Sequence, residues 1–468
     1  MKYSERVLKV LTSYHTLKWL LLSQFILMIL VYFNTNSFEN ISESSSNFLA
    51  INRLESGENV SVFQGGYRLS LAYIGYYIKD LFGSLSYFFI FQAILGVFAS
   101  YITSLLVYEI SKSRLSQNLT VLFFSVTTEF VLLPSIFYNQ IFDIFFAAVV
   151  IYSYLEFITI KYYDHQILGY GFLVLVMSYL SLFFRGTLAY FWAIPLILAI
   201  IDLSMKNRPG FTKNIILAFS LIVTLQVVSP SKFFRENKIV PNDFVFFGHT
   251  AYGGGGGEGS FIYKENEERY NERIHTYQME HNLDSLTQKD INEFQRSEIK
   301  YFIINEPTHW IYIQFRKFIY TFGAIAQRDG IVMLKNGEIK FPWYLAALML
   351  QVPFIIIILS LIFFSDLNWL YTNIKKPEIY LIILWGIYLI GGTVFYGHYQ
   401  ERYRPIVLTL FFIPLIAINI NTKKFHFKFP DIKKMFPKIA ISLIIVMIWL
   451  IQLYIALFIE SERYLKFM

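Results

Sequence analysis

What most constrains this chain is the recurrence of apolar runs about 16–25 residues long, the length a helix needs to cross the hydrocarbon of a bilayer. A helix suits that setting because all of its backbone polar groups are satisfied within the segment. The runs fall near 17–33, 84–107, 117–136, 141–159, 167–184, 188–202, 213–229, 342–364, 378–396, 405–420 and 439–459, which predicts eleven spans. Only 16% of the residues are charged, against about 25% in an ordinary soluble domain. The expected fold is therefore an all-α polytopic membrane protein of about eleven transmembrane helices. It divides into an N-terminal membrane part (1–229), a polar subdomain (230–341) and a C-terminal membrane part (342–468).

The chain has no cysteine, which excludes disulfides, thiolate-bound zinc, iron–sulfur clusters and a cysteine nucleophile. No small-residue cleavage site follows the first apolar run, so that run reads as a retained signal-anchor. The net charge of +7 would suit nucleic acid, but its distribution points elsewhere. With the N-terminus in the cytoplasm, alternate loops hold Lys2, Arg6 and Lys9; Lys112 and Arg114; Lys161; Lys206, Arg208 and Lys213; and Lys375 and Lys376. The last of these loops, NTKKFHFKFPDIKKMFPK, has six Lys and one Asp. Basic loops on the cytoplasmic side are the ordinary habit of such proteins, so no nucleic-acid partner is expected.

The opposite side then receives a first loop, 34–83, that contains Glu39, Glu43, Glu55 and Glu58 with only Arg53 and Arg68 among the basic residues of its polar part. Its end, GYRLSLAYIGYYIKDLF at 66–82, is amphipathic and too polar for a span, and suits a helix lying in the membrane interface. The polar subdomain shows a helical pattern near 264–281 and another near 288–304. The second starts at a capping signal, Thr287 with Asp290 three residues on. Its apolar face carries Ile291, Phe294, Ile299 and Phe302, and Pro307 follows its end. No tandem repeat is visible.

Candidate functional residues cluster at the outer ends of the spans. Exposed loop carboxylates such as Glu43 are ordinarily just solvated, but this one leads into an interfacial helix. Asp143, in YNQIFDIFF, is an acid within a membrane segment, a placement that costs roughly 2.5–3.5 kcal/mol at a helix centre and so points to function. Interfacial capping is its simpler reading. Glu129 lies deeper and fits a structural hydrogen bond within the bundle. Arg185, in SLFFRGTLAYFWAIP, is a cation on the side where the basic trend is absent, and a guanidinium there can hold a phosphate in a fork of hydrogen bonds. His398, Glu401, Arg402 and Arg404 crowd the short segment GHYQERYRP at 397–405, which suits an anionic partner or a Glu401–Arg salt bridge shaping the loop. The glycine run AYGGGGGEGSF at 251–261 contains GxGxxG, but no βαβ unit follows it. It reads better as a turn or a loop that closes over substrate, with Glu258 as a further binding residue.

Taken in order along the chain, these segments resemble the GT-C glycosyltransferases, the integral membrane class that includes protein O-mannosyltransferases and lipid A aminoarabinose transferases. The likeness rests on SESSSNFLAINRLESGENV, on GGYRLSLAYIGYYIKDLFG ending at Phe-Gly, on Asp143, and on ERYRP near the late spans. It covers roughly 1–230 and 380–420. The family's catalytic first-loop Asp falls on Ser42, and Glu43 stands beside it.

The resemblance implies a polyprenyl-phosphate sugar as donor and a glycan, lipid or protein hydroxyl as acceptor. Glu43 and Asp143 are then the catalytic carboxylates, and Arg185, His398, Arg402, Arg404 and Glu258 bind the donor. A carboxylate would act as general base on the acceptor hydroxyl, and single-step attack would invert the anomeric centre. No resident cofactor is implied; a divalent metal is compatible with this chemistry and is not assigned. The expected location is a bacterial plasma membrane with the active site outside the cytoplasm. Three alternatives stand beside this reading: an O-antigen-type polymerase or ligase, a non-enzymatic transporter or flippase, and an inactive relative because of Ser42.

Overall fold

The computed structural model describes residues 10–35, 42–57, 69–137, 139–160, 165–184, 187–227, 264–312, 314, 343–364, 376–392, 404–420 and 432–454, some of the helical ones by backbone alone. Among these residues every regular element is a helix. Helix α1 (Tyr14–Thr35) precedes two amphipathic helices, α2 (Ser42–Glu55) and α3 (Leu69–Phe82). Next come α4 (Ser86–Ser111), α5 (Arg114–Val126), the short α6 (Thr128–Leu132), α7 (Gln140–Thr159), α8 (His165–Ser181), α9 (Ala193–Ser204) and α10 (Arg208–Ile222). The polar part folds into α11 (Lys264–Glu280) and α12 (Gln288–Asn305). After it come α13 (Trp343–Phe364), α14 (Pro377–Ile390), α15 (Arg404–Val407), α16 (Ile413–Asn419) and α17 (Ile432–Tyr454).

Among the described residues, four helices are long and apolar enough to cross a membrane: Tyr14–Thr35, Ser86–Ser111, Gln140–Thr159 and Pro209–Val227. A fifth candidate is broken. Arg114–Val126 and Thr128–Ser135 meet at a bend of 67°, where an unbroken segment was expected. Thr127 adopts extended backbone at the break, and its hydroxyl turns back to the Phe123 carbonyl at 2.7 Å. The cause is local: the polar, β-branched Thr127 and Thr128 precede Glu129 in a run that otherwise favours helix.

Helix α7 is the most buried of the candidate spans and packs against α4 and α8. Its core side chains include Ile144, Ala147, Ala148, Val150, Ile151 and Tyr154. Small residues permit close approach elsewhere. Gly386 of α14 receives the Phe411 ring so closely that any Cβ would collide with it.

Hydrogen bonds sort the helix ends into two faces. At one face, the start of α5 is tied to the chain before α1, with Asn118 Nδ2 donating to the carbonyls of Leu11 (2.5 Å) and Ser13 (3.0 Å). There too, Lys213 donates to the Ile160 carbonyl and Asn214 to Asp202 at 2.8 Å. This face carries Lys112, Arg114, Lys206 and Lys213. At the other face, Tyr32 donates to Ser86 at 3.0 Å, joining the end of α1 to the start of α4. The amphipathic helices α2 and α3 lie on this second face.

The expected first loop is thus partly helical. In α2, Asn47, Ala50 and Ile51 are buried and Leu54 is half-buried, an i, i+3, i+4, i+7 stripe facing the protein. Phe137 receives this stripe. It meets Phe48 at 5.4 Å and Phe88 edge-on at 4.5 Å between ring centroids. Gly75 of α3 lies against the same ring: a Cβ there would stand 2.7 Å from Phe137 Cζ and 2.9 Å from Ile51 Cδ1. Gly83, at φ +75°, ends α3, its N–H donating to the Lys79 carbonyl at 2.7 Å.

In the polar part, Thr287 and Asp290 cap α12 reciprocally: Thr287 N–H donates to Asp290 (2.8 Å), and Asp290 N–H to the Thr287 hydroxyl (3.3 Å). Phe294 is buried between the two helices, against Tyr270 and Tyr277.

Candidate functional site

The second face contains several stretches of irregular backbone near the ends of the apolar helices. A peptide carbonyl there has neither a helical partner nor ready access to water, so it needs a side-chain donor. The chain supplies these donors one by one. Gln92 of α4 donates to the carbonyls of Pro134 (3.1 Å) and Ile136 (3.0 Å). Asn47 of α2 donates to Phe137 at 2.9 Å. Ser70 of α3 donates to Phe183, and Asn139 to Phe184 at 2.8 Å. Tyr388 of α14 reaches Thr187 at 2.6 Å, and Gln226 reaches Ala189 at 2.8 Å. Seven carbonyls between 134 and 189 are thereby held by side chains from six different places in the sequence.

Two of these donors stand one turn from a candidate acid in sequence, Asn47 after Glu43 and Asn139 before Asp143. Asp143 sits in the first turn of α7, its N–H bonded to the Asn139 carbonyl at 3.0 Å. A carboxylate there faces the positive end of the helix dipole. Its side chain is only 1% exposed, so it lies inside the protein and not at an open mouth. Neighbouring Gln140 is equally enclosed. The structure describes the backbone of Glu43, one turn ahead of Asn47 in α2. Asn47 is bonded to Phe137, and Asn139 lies one turn before Asp143, so the helix carrying Glu43 is tied to the chain six residues ahead of Asp143.

Arg185, Glu258, His398 and Arg402 lie outside the described residues. The residues flanking Arg185 are described. Phe183, Phe184 and Thr187 accept the three hydrogen bonds above, and Phe184 stacks on Phe142 at 4.5 Å and 12°.

Arg404 takes a different place from the one its loop position suggested. It opens α15, is completely buried, and forms an ion pair with Glu129, itself 1% exposed. Its guanidinium also lies over the Phe354 ring of α13 at 4.7 Å. The reading of Arg404 as a surface ligand for phosphate is therefore replaced by a buried pair with an acid 275 positions away. Glu129 is the deep structural partner expected of it, and it sits just past the 67° bend. A buried guanidinium needs such a partner because desolvation of an unpaired charge is far more costly than that of a pair.

Sequence reasoning passed over Asn47, Ser70, Gln92, Asn139 and Gln226, the side chains that shape this face. The signal was an isolated amide or hydroxyl in an apolar stretch, which needs a partner wherever it is buried. Among the described residues no three His, Asp or Glu side chains group to hold a metal ion. No protein-family model matches the chain, and no curated protein matches it either.

Proposed function

We propose that the protein is a membrane glycosyltransferase that moves a sugar from a polyprenyl-phosphate-linked donor to an acceptor hydroxyl on the outer face of a bacterial plasma membrane. In this reading the eleven apolar segments all cross the bilayer, the basic face is cytoplasmic, and the face carrying α2 and α3 is outside. The observation that carries the proposal is Asp143: an acid held at 1% exposure in the first turn of the most buried candidate span. A carboxylate in that position is costly to keep without a task.

The two acids take different parts in this reading. Glu43, on the amphipathic helix α2, takes the proton from the acceptor hydroxyl as it attacks the anomeric carbon. Asp143 acts as a positioning residue. Arg185 and Arg402 hold the lipid phosphate as it departs, with His398 and Glu258 on the sugar side. The polyprenyl phosphate supplies its own leaving group, so no resident cofactor enters the step.

The test uses membranes containing the full chain and a radiolabelled polyprenyl-phosphate sugar. Glu43→Gln should lower kcat by about 10²–10⁴-fold, the usual range for loss of a general base. Asp143→Asn should lower transfer without shifting the acid limb of the pH profile. Arg185→Ala should raise KM for the donor at unchanged protein level. Full transfer by both acid variants would overturn the reading.

A second reading, a lipid or solute transporter, draws on the span broken at Thr127, since transporters build sites at interrupted helices. Movement of a fluorescent polyprenyl-phosphate sugar between leaflets, with no transfer to an acceptor, would favour it.

A further inference from the structure

The two polar helices α11 and α12 form an antiparallel pair with a distinct top and base. The turn at 281–287 marks the top; residue 264, where α11 begins, and residue 305, where α12 ends, mark the base. Two bidentate ion pairs zip the helices together: Arg273 to Glu298 at 2.5 Å through both nitrogens, and Arg269 to Glu306 at 3.2 and 2.5 Å. The outward side of α12 changes character along its length. Glu293, Ser297 and Lys300 give a polar surface toward the top. Beyond them Ile303 and Ile304 are 45% and 64% exposed, and after Pro307 Ile311 and Tyr312 are 60% and 47% exposed. Trp310 lies among them, half-buried.

We infer that residues 301–312 lie in the headgroup region of the bilayer, with Ile303, Ile304 and Ile311 directed into the lipid. Three observations select lipid as the occupant. The apolar surface is concentrated at the base, the end from which the chain runs on toward the apolar helix Trp343–Phe364, with Met279 the one large apolar side chain exposed near the top among the described residues. Its make-up, three isoleucines with Tyr301, Trp310 and Tyr312, matches the aromatic belt that membrane proteins keep at the interface. The one acid in the stretch, Glu306, turns back to Arg269, so no carboxylate faces the lipid. Exposed apolar groups of this size in water would be a liability, whereas burial in the interface is favourable by about 25 cal/mol for each Å² covered. The inference is independent of the proposed sugar transfer. It gives α11 and α12 a fixed height above the membrane, with their charged top outermost.

The absence of cysteine makes the test direct. Single cysteines replacing Ile304, Ile311 and Glu280, the last exposed near the top, are given a nitroxide label in the full chain, reconstituted in phosphatidylcholine–phosphatidylglycerol nanodiscs. Oxygen, which concentrates in lipid, should relax the labels at 304 and 311 more strongly than a water-soluble nickel chelate, and the order should reverse at 280. Where Ile304→Cys yields no protein, Ile303→Cys takes its place. Nickel dominating at all sites overturns the inference. So does spin–spin broadening at 304 or 311 that vanishes on dilution with unlabelled chain, which would mean that a second copy covers the face.

Discussion

At the scale of single residues, the buried Glu129–Arg404 pair is the sharpest feature of the molecule. Both side chains are removed from water, so deleting either one strands a charge. Glu129→Ala or Arg404→Ala should each cost about 3–5 kcal/mol, read as a large fall in thermal midpoint in detergent. The double variant Glu129→Met/Arg404→Met should recover much of that loss, because an apolar pair of similar volume needs no desolvation. An unchanged midpoint in both single variants would show that the pair is not formed. The sequence marked Glu129 as deep and structural but offered no means of linking it to Arg404. Arg404 stood beside Arg402 in a short polar segment and looked exposed; only the start of α15 turns it inward. The amides at 47, 92 and 139 were similarly silent, because the carbonyls they satisfy are distant in sequence.

At the scale of elements, the first loop shows how a helix escapes a composition-based reading. The serines and glutamates of α2 look like an open polar loop, yet Asn47, Ala50, Ile51 and Leu54 recur at helical spacing. That stripe was legible; its partner, Phe137, was not. Gly75→Val should unseat α3 from the Phe137 ring, since even a Cβ stands 2.7 Å from it. The expected outcome is faster proteolysis at 42–82 in an otherwise folded protein.

The polar helices make a pH prediction. Hydrogen bonds from Arg269 hold the Glu306 carboxyl below its ordinary value. A depressed carboxyl stabilises the folded form above its unfolded pKa, and that contribution is lost as pH falls through the folded value. The α11–α12 pair should therefore loosen only in acid below the usual carboxylate range. Arg269→Ala should abolish that acid-dependent step, as followed by hydrogen exchange of α12.

At the scale of the whole molecule, two faces and an apolar middle organise everything else. A cysteine at Lys206 should react only with a maleimide that reaches the cytoplasm, and one at Gly57 only with an impermeant reagent added outside. The reverse result would invert the proposed orientation.

The helical class of the described residues, the positions of the apolar segments and the capping box of α12 were determined by sequence alone. Each depends on local periodicity, on residue type or on contacts a few positions apart. Tertiary structure alone decided the seating of α2 on Phe137, the burial of Asp143 and the pairing of Arg404 with Glu129. Those features depend on which distant group meets a buried charge or an unpaired carbonyl, and the cost of leaving such groups unmet operates only once the helices have packed.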